Sequence, residues 1–276
     1  MEIRFHNSAK ETAAMGTHEL RSNFLMEQVM LQDEIKLLYT HYDRVIIGGV
    51  VPVYKRILLP THDALKANYF LERREIGIIN VGGDGEVIVN DKVYALRKLD
   101  CLYVGKGNEK VQFKSVKRNN PAKFYLLSAP AHKEYRVQLM KREKASPVEL
   151  GSVATANQRT VYKYIHLEGL KSCQVVMGLT ILKEGSVWNT IPTHVHDRRM
   201  EAYFYFDLAE NQKIIHLMGE PSETRHLVVG NDQAIISPPW SIHSGCGTSN
   251  YGFIWGMAGE NYVYTDMDVV NINDLR

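Results

Sequence analysis

Short runs of β-branched and aromatic residues, in which hydrophobic and polar positions often alternate, follow one another along most of the chain. The first half contains VIIGGVVPVYKRILL, EIGIINVGG, GEVIVNDKVYAL and KFYLLSAP; the second contains YKYIHLEG, CQVVMGLTILKEGSVW, EAYFYFDL, HLVVGNDQAIISPPW and YGFIWGMAG. Glycine, asparagine, aspartate or proline separates these runs. Many short strands at this spacing predict an all-β protein, either a sandwich or a barrel. Within VIVNDKVYAL, the pair Asn90-Asp91 predicts a hairpin turn.

Residues 10–40 form the one long stretch with a helical pattern. Thr17 is placed as an N-cap with Glu19 in the first turn, and Leu20 and Phe24 follow at helical spacing. We therefore expect short helices near the N-terminus of an otherwise β-rich chain.

The second half of the chain repeats the pattern of the first half. Glu75 opens EIGIINV much as Glu201 opens EAYFYFD, and KFYLLSAP matches GFIWGMAG at a similar separation. The segment 141–158 is charged and then small and polar, which indicates a linker. These patterns predict a duplicated barrel, with one domain over residues 1–145 and a second over residues 146–276.

Composition describes a globular chain that can bury a large core, with 276 residues, 45% hydrophobic and 23% charged. The charges of the 33 basic and 31 acidic side chains nearly cancel, so the net charge does not favour a nucleic-acid partner. An anionic small-molecule substrate is still possible, because its pocket needs only one or two local cations. The cysteines Cys101, Cys173 and Cys246 lie far apart and form no C-x-x-C pair, which favours a reducing compartment. With no apolar run of roughly 18 to 20 residues and no signal-peptide pattern, we expect a cytoplasmic protein without a membrane partner.

The stretch IPTHVHDRRMEAYFYF carries the strongest chemical pattern. On a strand, His194 and His196 point to the same side, so both imidazoles reach a single ion. The polar DRRM then turns the chain, and the next strand places Glu201, Tyr203 and Tyr205 on one face. Imidazoles with a carboxylate suit zinc, iron, manganese or nickel.

A further ligand follows in SPPWSIHSG, where Pro238 and Pro239 fix the backbone before Trp240 and His243. An isolated H-x-H pair usually binds nothing. The same pair followed by a glutamate, and then by a histidine after a proline-rich turn, is much more specific. We predict a metal centre at His194, His196, Glu201 and His243.

This order of ligands in strand-rich sequence resembles the cupin superfamily, although PPWSIH lacks the glycine turn that usually precedes the last histidine. The whole chain resembles the 5-keto-4-deoxyuronate isomerases, through IPTHVHDRRMEAYFYF, SPPWSIHSGCGTSNYGFIWGMAGEN and the closing DMDVVNINDLR. The resemblance implies a bicupin fold of two jelly-roll-like barrels, Zn²⁺ on the same four residues, a homohexamer and a role in pectin breakdown. It also implies an aldose–ketose isomerisation that converts 5-dehydro-4-deoxy-D-glucuronate into 3-deoxy-D-glycero-2,5-hexodiulosonate.

The groups that act beside the metal stay open at this point. Tyr203, Tyr205 and a metal-bound hydroxide are candidate bases, a hydride shift needs no base, and both tyrosines are equally consistent with interior aromatics. The substrate carboxylate requires a cation, and an arginine fork suits it better than lysine. Candidate substrate contacts are Arg159, Arg198, Arg199, Arg225 and Trp240.

Two other functions share part of this pattern. An iron dioxygenase would use the same ligands and consume O₂. A sugar-binding cupin without activity would hold a structural metal or none. Four well-spaced ligands in one half argue against the second alternative, because loss of ligands is expected in a non-catalytic copy.

Overall fold

β-Strands are the main regular secondary structure in the computed structural model, which describes residues 1–260, 262–263 and 265–276. The strands of the first half are β1 (Glu2–Arg4), β2 (Leu25–Met26), β3 (Ile35–Thr40), β4 (Ile46–Val50), β5 (Ile57–Leu58), β6 (Arg74–Asn80), β7 (Gly85–Val89), β8 (Lys92–Leu96), β9 (Cys101–Val104), β10 (Val111–Ser115), β11 (Phe124–Pro130) and β12 (Gln138–Met140). Those of the second half are β13 (Val148–Leu150), β14 (Arg159–Ile165), β15 (Val176–Leu182), β16 (Trp188–Asn189), β17 (His194–Val195), β18 (Arg199–Phe206), β19 (Ile214–Glu220), β20 (Glu223–Val229), β21 (Gln233–Ser237), β22 (Ser244–Gly247), β23 (Gly252–Gly259) and β24 (Asp268–Val269). The expectation of a mostly β protein is confirmed.

Two α-helices lie near the N-terminus, α1 (Ala9–Ala14) and α2 (Thr17–Phe24), and short 3₁₀ helices cover Asp63–Leu65, Arg142–Lys144, Val153–Thr155 and Ile272–Asp274. The prediction that Thr17 caps α2 is wrong by one residue. Gly16 is the N-cap, and its N–H donates to the Glu19 carboxylate at 3.1 Å. No helix among the described residues has the length and apolar character needed to cross a membrane.

The sheets of the two halves have matching strand orders. The first half contains a seven-stranded sheet, β1-β3-β4-β11-β6-β9-β12, and a four-stranded sheet, β5-β10-β7-β8. The second half contains β13-β14-β15-β23-β18-β21-β2 and β16-β22-β19-β20, with β17 and β24 forming a separate pair. The predicted hairpin is confirmed, since β7 pairs with β8 across Asn90 and Asp91, whose φ angles are 46° and 68°.

One edge strand from the first half of the chain belongs to the second large sheet. β2 belongs to the first half of the chain, yet Leu25 and Met26 pair with Ile235 and Ala234 of β21 in the second half. β12, the corresponding edge strand of the first large sheet, comes from the first half itself and pairs with β9. The segment 141–158, predicted to be a linker, instead contains β13, which extends the second large sheet.

The largest apolar core lies between the two seven-stranded sheets. Tyr125 of the first half stacks on Phe204 of the second, with ring centroids 4.7 Å apart. The sheets approach so closely at Gly256 that a Cβ atom there would lie 2.3 Å from the Leu127 side chain. Because side chains alternate along β18, Phe204 faces this core while its neighbour Tyr203 faces the opposite side.

A buried carboxylate also joins the halves. Glu75, at 0% exposure, accepts hydrogen bonds from the backbone N–H groups of residues 173–175 at 2.7 to 2.9 Å and from the Tyr103 hydroxyl at 2.7 Å. Glu75 therefore holds the start of β15 against the first half.

Replacing Glu75 with glutamine is expected to lower the free energy of unfolding by about 2 to 4 kcal/mol, because several hydrogen bonds to a buried carboxylate are weakened together. Urea denaturation measures this change. The matched control is Glu27→Gln, which removes an exposed ion pair to Arg21 of 2.7 Å and should cost below about 1 kcal/mol. Equal losses in the two variants would contradict the stabilising role of Glu75.

Candidate metal centre and its cavity

The structure brings together the four residues that the sequence pattern predicted as ligands. His194 lies on β17, His196 follows that strand, Glu201 lies near the start of β18, and His243 directly precedes β22. One nitrogen or oxygen from each of the four lies within 4.8 Å of the others. The paired prolines before His243 and the tight turn between β17 and β18 bring these separate segments to one point.

The distances among these atoms suit a single ion. The Glu201 Oε2 atom lies 3.1 Å from His196 Nε2 and 2.9 Å from His243 Nε2. His243 Nε2 is also 3.0 Å from His194 Nε2. Nitrogen and oxygen ligands that bind one zinc ion at about 2.0 to 2.2 Å lie about 3 to 3.5 Å from each other. The donor set therefore fits a metal ion.

The protonation states of the cluster also suit a metal. Burial alone would raise the pKa of Glu201, but the charge of His243 and the close contacts with His196 and His243 bring that pKa well below its usual range. Burial, reinforced by the charge of His243, lowers the pKa of His194 to about 3. An ionised carboxylate and a neutral imidazole are the forms that metal binding requires.

A C-terminal segment orients His196. His196 Nδ1 donates to the Asp266 backbone carbonyl at 2.5 Å, which leaves the Nε2 lone pair directed at the cluster. The same segment continues into β24, where Val269 pairs with His194. Residues near the C-terminus thus hold both histidines of the H-x-H pair in place.

Arg199 holds the segment that contains Asp266 through hydrogen bonds to its backbone carbonyls. Its side chain is fully buried, and Nη1 donates to the Val263 carbonyl at 2.8 Å while Nη2 lies 3.4 Å from the Asp266 carbonyl. Arg199 was predicted as a substrate contact. In the structure, Arg199 lies beside His196 and holds the C-terminal segment whose Asp266 carbonyl orients this histidine.

The cluster opens into a cavity of about 350 Å³. Val161, Phe253, Trp255 and Met257 form an apolar wall on β14 and β23. Polar groups around the same space come from Thr180, Thr190, Tyr203 and Arg159. A mainly apolar pocket with a few convergent polar groups is the usual form of a small-molecule site.

The two candidate tyrosines have different surroundings, although both lie on the predicted inner face of β18. Tyr203 lines the cavity, and its hydroxyl lies 2.8 Å from the Thr190 hydroxyl. Tyr205 is fully buried below it, does not line the cavity, and bonds through its hydroxyl to His216 Nδ1 at 2.7 Å. Burial raises the pKa of Tyr205 well above its usual value.

Arg159 is the only arginine or lysine among the described residues that line the cavity. Arg198 lies at the surface in an ion pair of 2.9 Å with Glu260. Arg225 lies on β20, 2.7 Å from Glu223. Trp240 is half-buried in the turn before His243 and is not among the lining residues.

Sequence reasoning missed the residues that shape the cavity. Phe253, Trp255 and Met257 alternate along YGFIWGMAG, so the period-2 pattern of that strand could have revealed this wall. No comparable pattern in the sequence indicates that Thr190 and the Asp266 carbonyl belong to the site. Both are brought to the site by turns whose path depends on tertiary contacts.

The matching strand pairs of the two halves explain why the first half has no such cluster among its described residues. Strands β6 and β11 occupy the same positions in the first large sheet as β18 and β23 in the second. Ile76 of β6 pairs with Ser128 of β11, and Glu201 of β18 pairs with Met257 of β23. The sequence pattern suggested that Glu75 corresponds to Glu201, and the strand pairing shows that it does not. Glu75 is one residue away from the equivalent position, and a shift of one residue moves a side chain to the opposite face. An isoleucine occupies the position equivalent to Glu201.

Comparison with solved structures shows the fold. An IolB-like protein from Salmonella typhimurium superposes with a TM-score of 0.72 at 15% identity, over 90% of this chain and 97% of that one. An oxalate decarboxylase of Bacillus subtilis, a protein with Mn(II) centres, superposes with a TM-score of 0.60 at 10% identity, over 91% and 80% of the two chains. The fold is therefore cupin-like.

Comparison of sequences confirms the resemblance inferred from the motifs. The 4-deoxy-L-threo-5-hexosulose-uronate ketol-isomerase of Shouchella clausii is 54% identical to this chain over 276 residues, 100% of each protein. A model of the KduI/IolB family matches residues 25–272. On both grounds, the chain belongs to the KduI/IolB family.

Proposed function

We propose that this protein is an aldose–ketose isomerase that converts 5-dehydro-4-deoxy-D-glucuronate into 3-deoxy-D-glycero-2,5-hexodiulosonate. The observation that carries the proposal is one cavity that joins the three histidines and Glu201 to a tyrosine and an arginine. Relatives of equal length carry the name of this ketol-isomerase. The cavity volume of about 350 Å³ suits a single sugar acid.

The fold that we propose for this function is a bicupin of two jelly-roll-like barrels. The barrels would comprise residues 1–145 and 146–276, and the matching strand orders of the two halves support this division. Strand β2 is the exception to the boundary, because it pairs with β21 of the other half. The first barrel would then support the second without binding metal.

His194, His196, Glu201 and His243 would hold one Zn²⁺ ion per subunit, although the same donor set also suits manganese, iron or nickel. When bound, the ion supplies Lewis-acid polarisation of the substrate carbonyl and its neighbouring hydroxyl. The chain's own contribution is a fixed and desolvated donor set, since His196, Glu201 and His243 are each at most 4% exposed.

Tyr203 is the candidate for proton transfer at the substrate oxygens. Isomerisation moves one hydrogen from C2 to C1 and one proton from the C2 oxygen to the C1 oxygen. The Tyr203 hydroxyl can donate its proton to the C1 oxygen and accept the proton of the C2 hydroxyl, so that it returns to its starting state. Tyr205, whose hydroxyl is bonded to His216 outside the cavity, is not in a position for this role.

Arg159 would bind the substrate carboxylate at the other side of the cavity. It lies on β14, which is separated from β18 by β15 and β23 in the sheet. Its guanidinium can form a paired contact with a carboxylate, which fixes both the position and the direction of the sugar. The apolar wall of Val161, Phe253, Trp255 and Met257 lies between these two ends and excludes water.

We further propose a cytoplasmic homohexamer that acts in the breakdown of pectin-type uronates. Cys101, Cys173 and Cys246 are all unpaired thiols, which suits a reducing compartment. Val148, Leu150 and Val153 are 39%, 43% and 79% exposed, and apolar surface of this kind supports assembly.

The purified protein should convert the 5-keto-4-deoxyuronate to the 2,5-diketo acid under anaerobic conditions, and a strong chelator should stop the reaction. Loss of the aldehyde signal in NMR spectra recorded in D₂O measures the conversion. Deuterium at C1 of the product indicates an enediol route, whereas its absence indicates a hydride shift. A metal-loaded protein that leaves the substrate unchanged but consumes O₂ with another substrate would instead indicate the dioxygenase.

Glu201→Gln and His243→Asn should each weaken metal binding at least about 100-fold, because changes to groups that merely support a ligand already cost about 10 to 100-fold. Elemental analysis after gel filtration measures the retained metal. His226→Asn changes an exposed histidine on β20 and should retain the metal fully. Full occupancy in both ligand variants would refute the assignment of the centre.

Arg159→Met should raise KM for the uronate about 10 to 100-fold with a smaller effect on kcat, since a charged hydrogen bond contributes about 1.5 to 3 kcal/mol. Arg159→Lys should recover part of this loss. The exposed Arg118→Met is the control and should behave as the unmodified enzyme. An unchanged KM in Arg159→Met would exclude Arg159 as the carboxylate contact.

A further inference from the structure

The hydroxyl groups of Thr190 and Tyr203 form a direct hydrogen bond inside the cavity. Their oxygen atoms are 2.8 Å apart, and either group can act as the donor. Both side chains line the same space as His194 and Glu201. Thr190 therefore contacts the hydroxyl that the proposed function places at the substrate oxygens.

The backbone at Thr190 has an unfavourable conformation for its residue type. Its φ angle is +50°, in the left-handed region that β-branched residues rarely adopt. Among the non-glycine residues with positive φ in the described part of the chain, Thr190 is the only β-branched one. Glycine or asparagine would suit this turn better, so the side chain itself must supply something that the turn does not require.

The ring of Tyr203 is held by packing on its faces and edges. It lies edge-on to His243 with centroids 5.5 Å apart, and it packs at 5.0 Å against Phe253. The whole residue is only 2% exposed. Because the ring cannot turn freely, the direction of the O–H bond is the main remaining freedom, and the Thr190 hydroxyl is a hydrogen-bond partner of that group.

We propose that Thr190 is a positioning residue that directs the Tyr203 hydroxyl toward the substrate oxygens. This inference rests on the proposed isomerase function. When the Tyr203 proton moves to the C1 oxygen, the Thr190 O–H can rotate and donate to the tyrosine oxygen. When Tyr203 regains a proton from the C2 hydroxyl, the Thr190 oxygen can accept it again. No backbone movement and no net change in protonation of the pair are needed.

The test measures kcat and KM in four variants: Thr190→Val, Thr190→Ser, Tyr203→Phe and the double variant Thr190→Val/Tyr203→Phe. Thr190→Val keeps the β-branched shape and removes the hydroxyl, so kcat should fall about 10 to 100-fold while KM changes less than about threefold. Thr190→Ser restores a hydroxyl and should recover kcat to within about threefold of the unmodified enzyme. The double variant should be no slower than Tyr203→Phe alone, because Thr190 acts through Tyr203.

A matched control separates this role from a loss of packing. Thr160→Val removes the hydroxyl of another buried threonine, which donates to Glu149 at 2.7 Å and faces away from the cavity. Its kcat should be unchanged. Metal content and melting temperature are measured for every variant, and both should match the unmodified protein in Thr190→Val.

The outcomes distinguish the role of Thr190 from the proposed isomerase function. An active unmodified enzyme with additive losses in the double variant, or with no recovery in Thr190→Ser, overturns the role of Thr190 and leaves the isomerase function intact. An unmodified, metal-loaded enzyme that does not isomerise the uronate overturns both.

Discussion

The rest of the site depends on one buried carboxylate. Glu201 is 4% exposed, and removing such a charge from water costs several kcal/mol unless close partners offset the loss. His196 and His243 provide those partners, His194 completes the cluster, and a metal ion suits the resulting group. The surrounding structure holds one of these partners in place, because the Asp266 carbonyl orients His196 and Arg199 in turn holds the segment that contains Asp266.

Strand β18 connects the stability of the molecule to its chemistry. One face carries Glu201 and Tyr203 into the cavity, and the other carries Phe204 into the core between the large sheets. A strand fixed on both faces has little freedom to shift, since a slip of one residue would exchange the two sets. The first half, without a cluster of its own among the described residues, thereby helps to keep the ligands of the second half in register.

The sequence predicted the parts of this protein that depend on local periodicity. The β-rich fold, the turn at Asn90 and the face shared by Glu201 and Tyr203 all follow from spacing along one strand. The pairing of β2 with β21 and the correct match of the two halves do not, because they depend on pairings between distant segments. Thr190 shows the same limit, since nothing local indicates that this residue would lie beside Tyr203.

The pairing of β2 with β21 affects how the molecule folds. Leu25 and Met26 are synthesised long before their partners Ile235 and Ala234, which lie far along the chain in the second half. Contacts of such long range slow folding, and until they form, the edge of β21 is open to other strands. The second half therefore cannot complete the sheet that carries Glu201 unless the first half supplies β2, which covers the edge of β21.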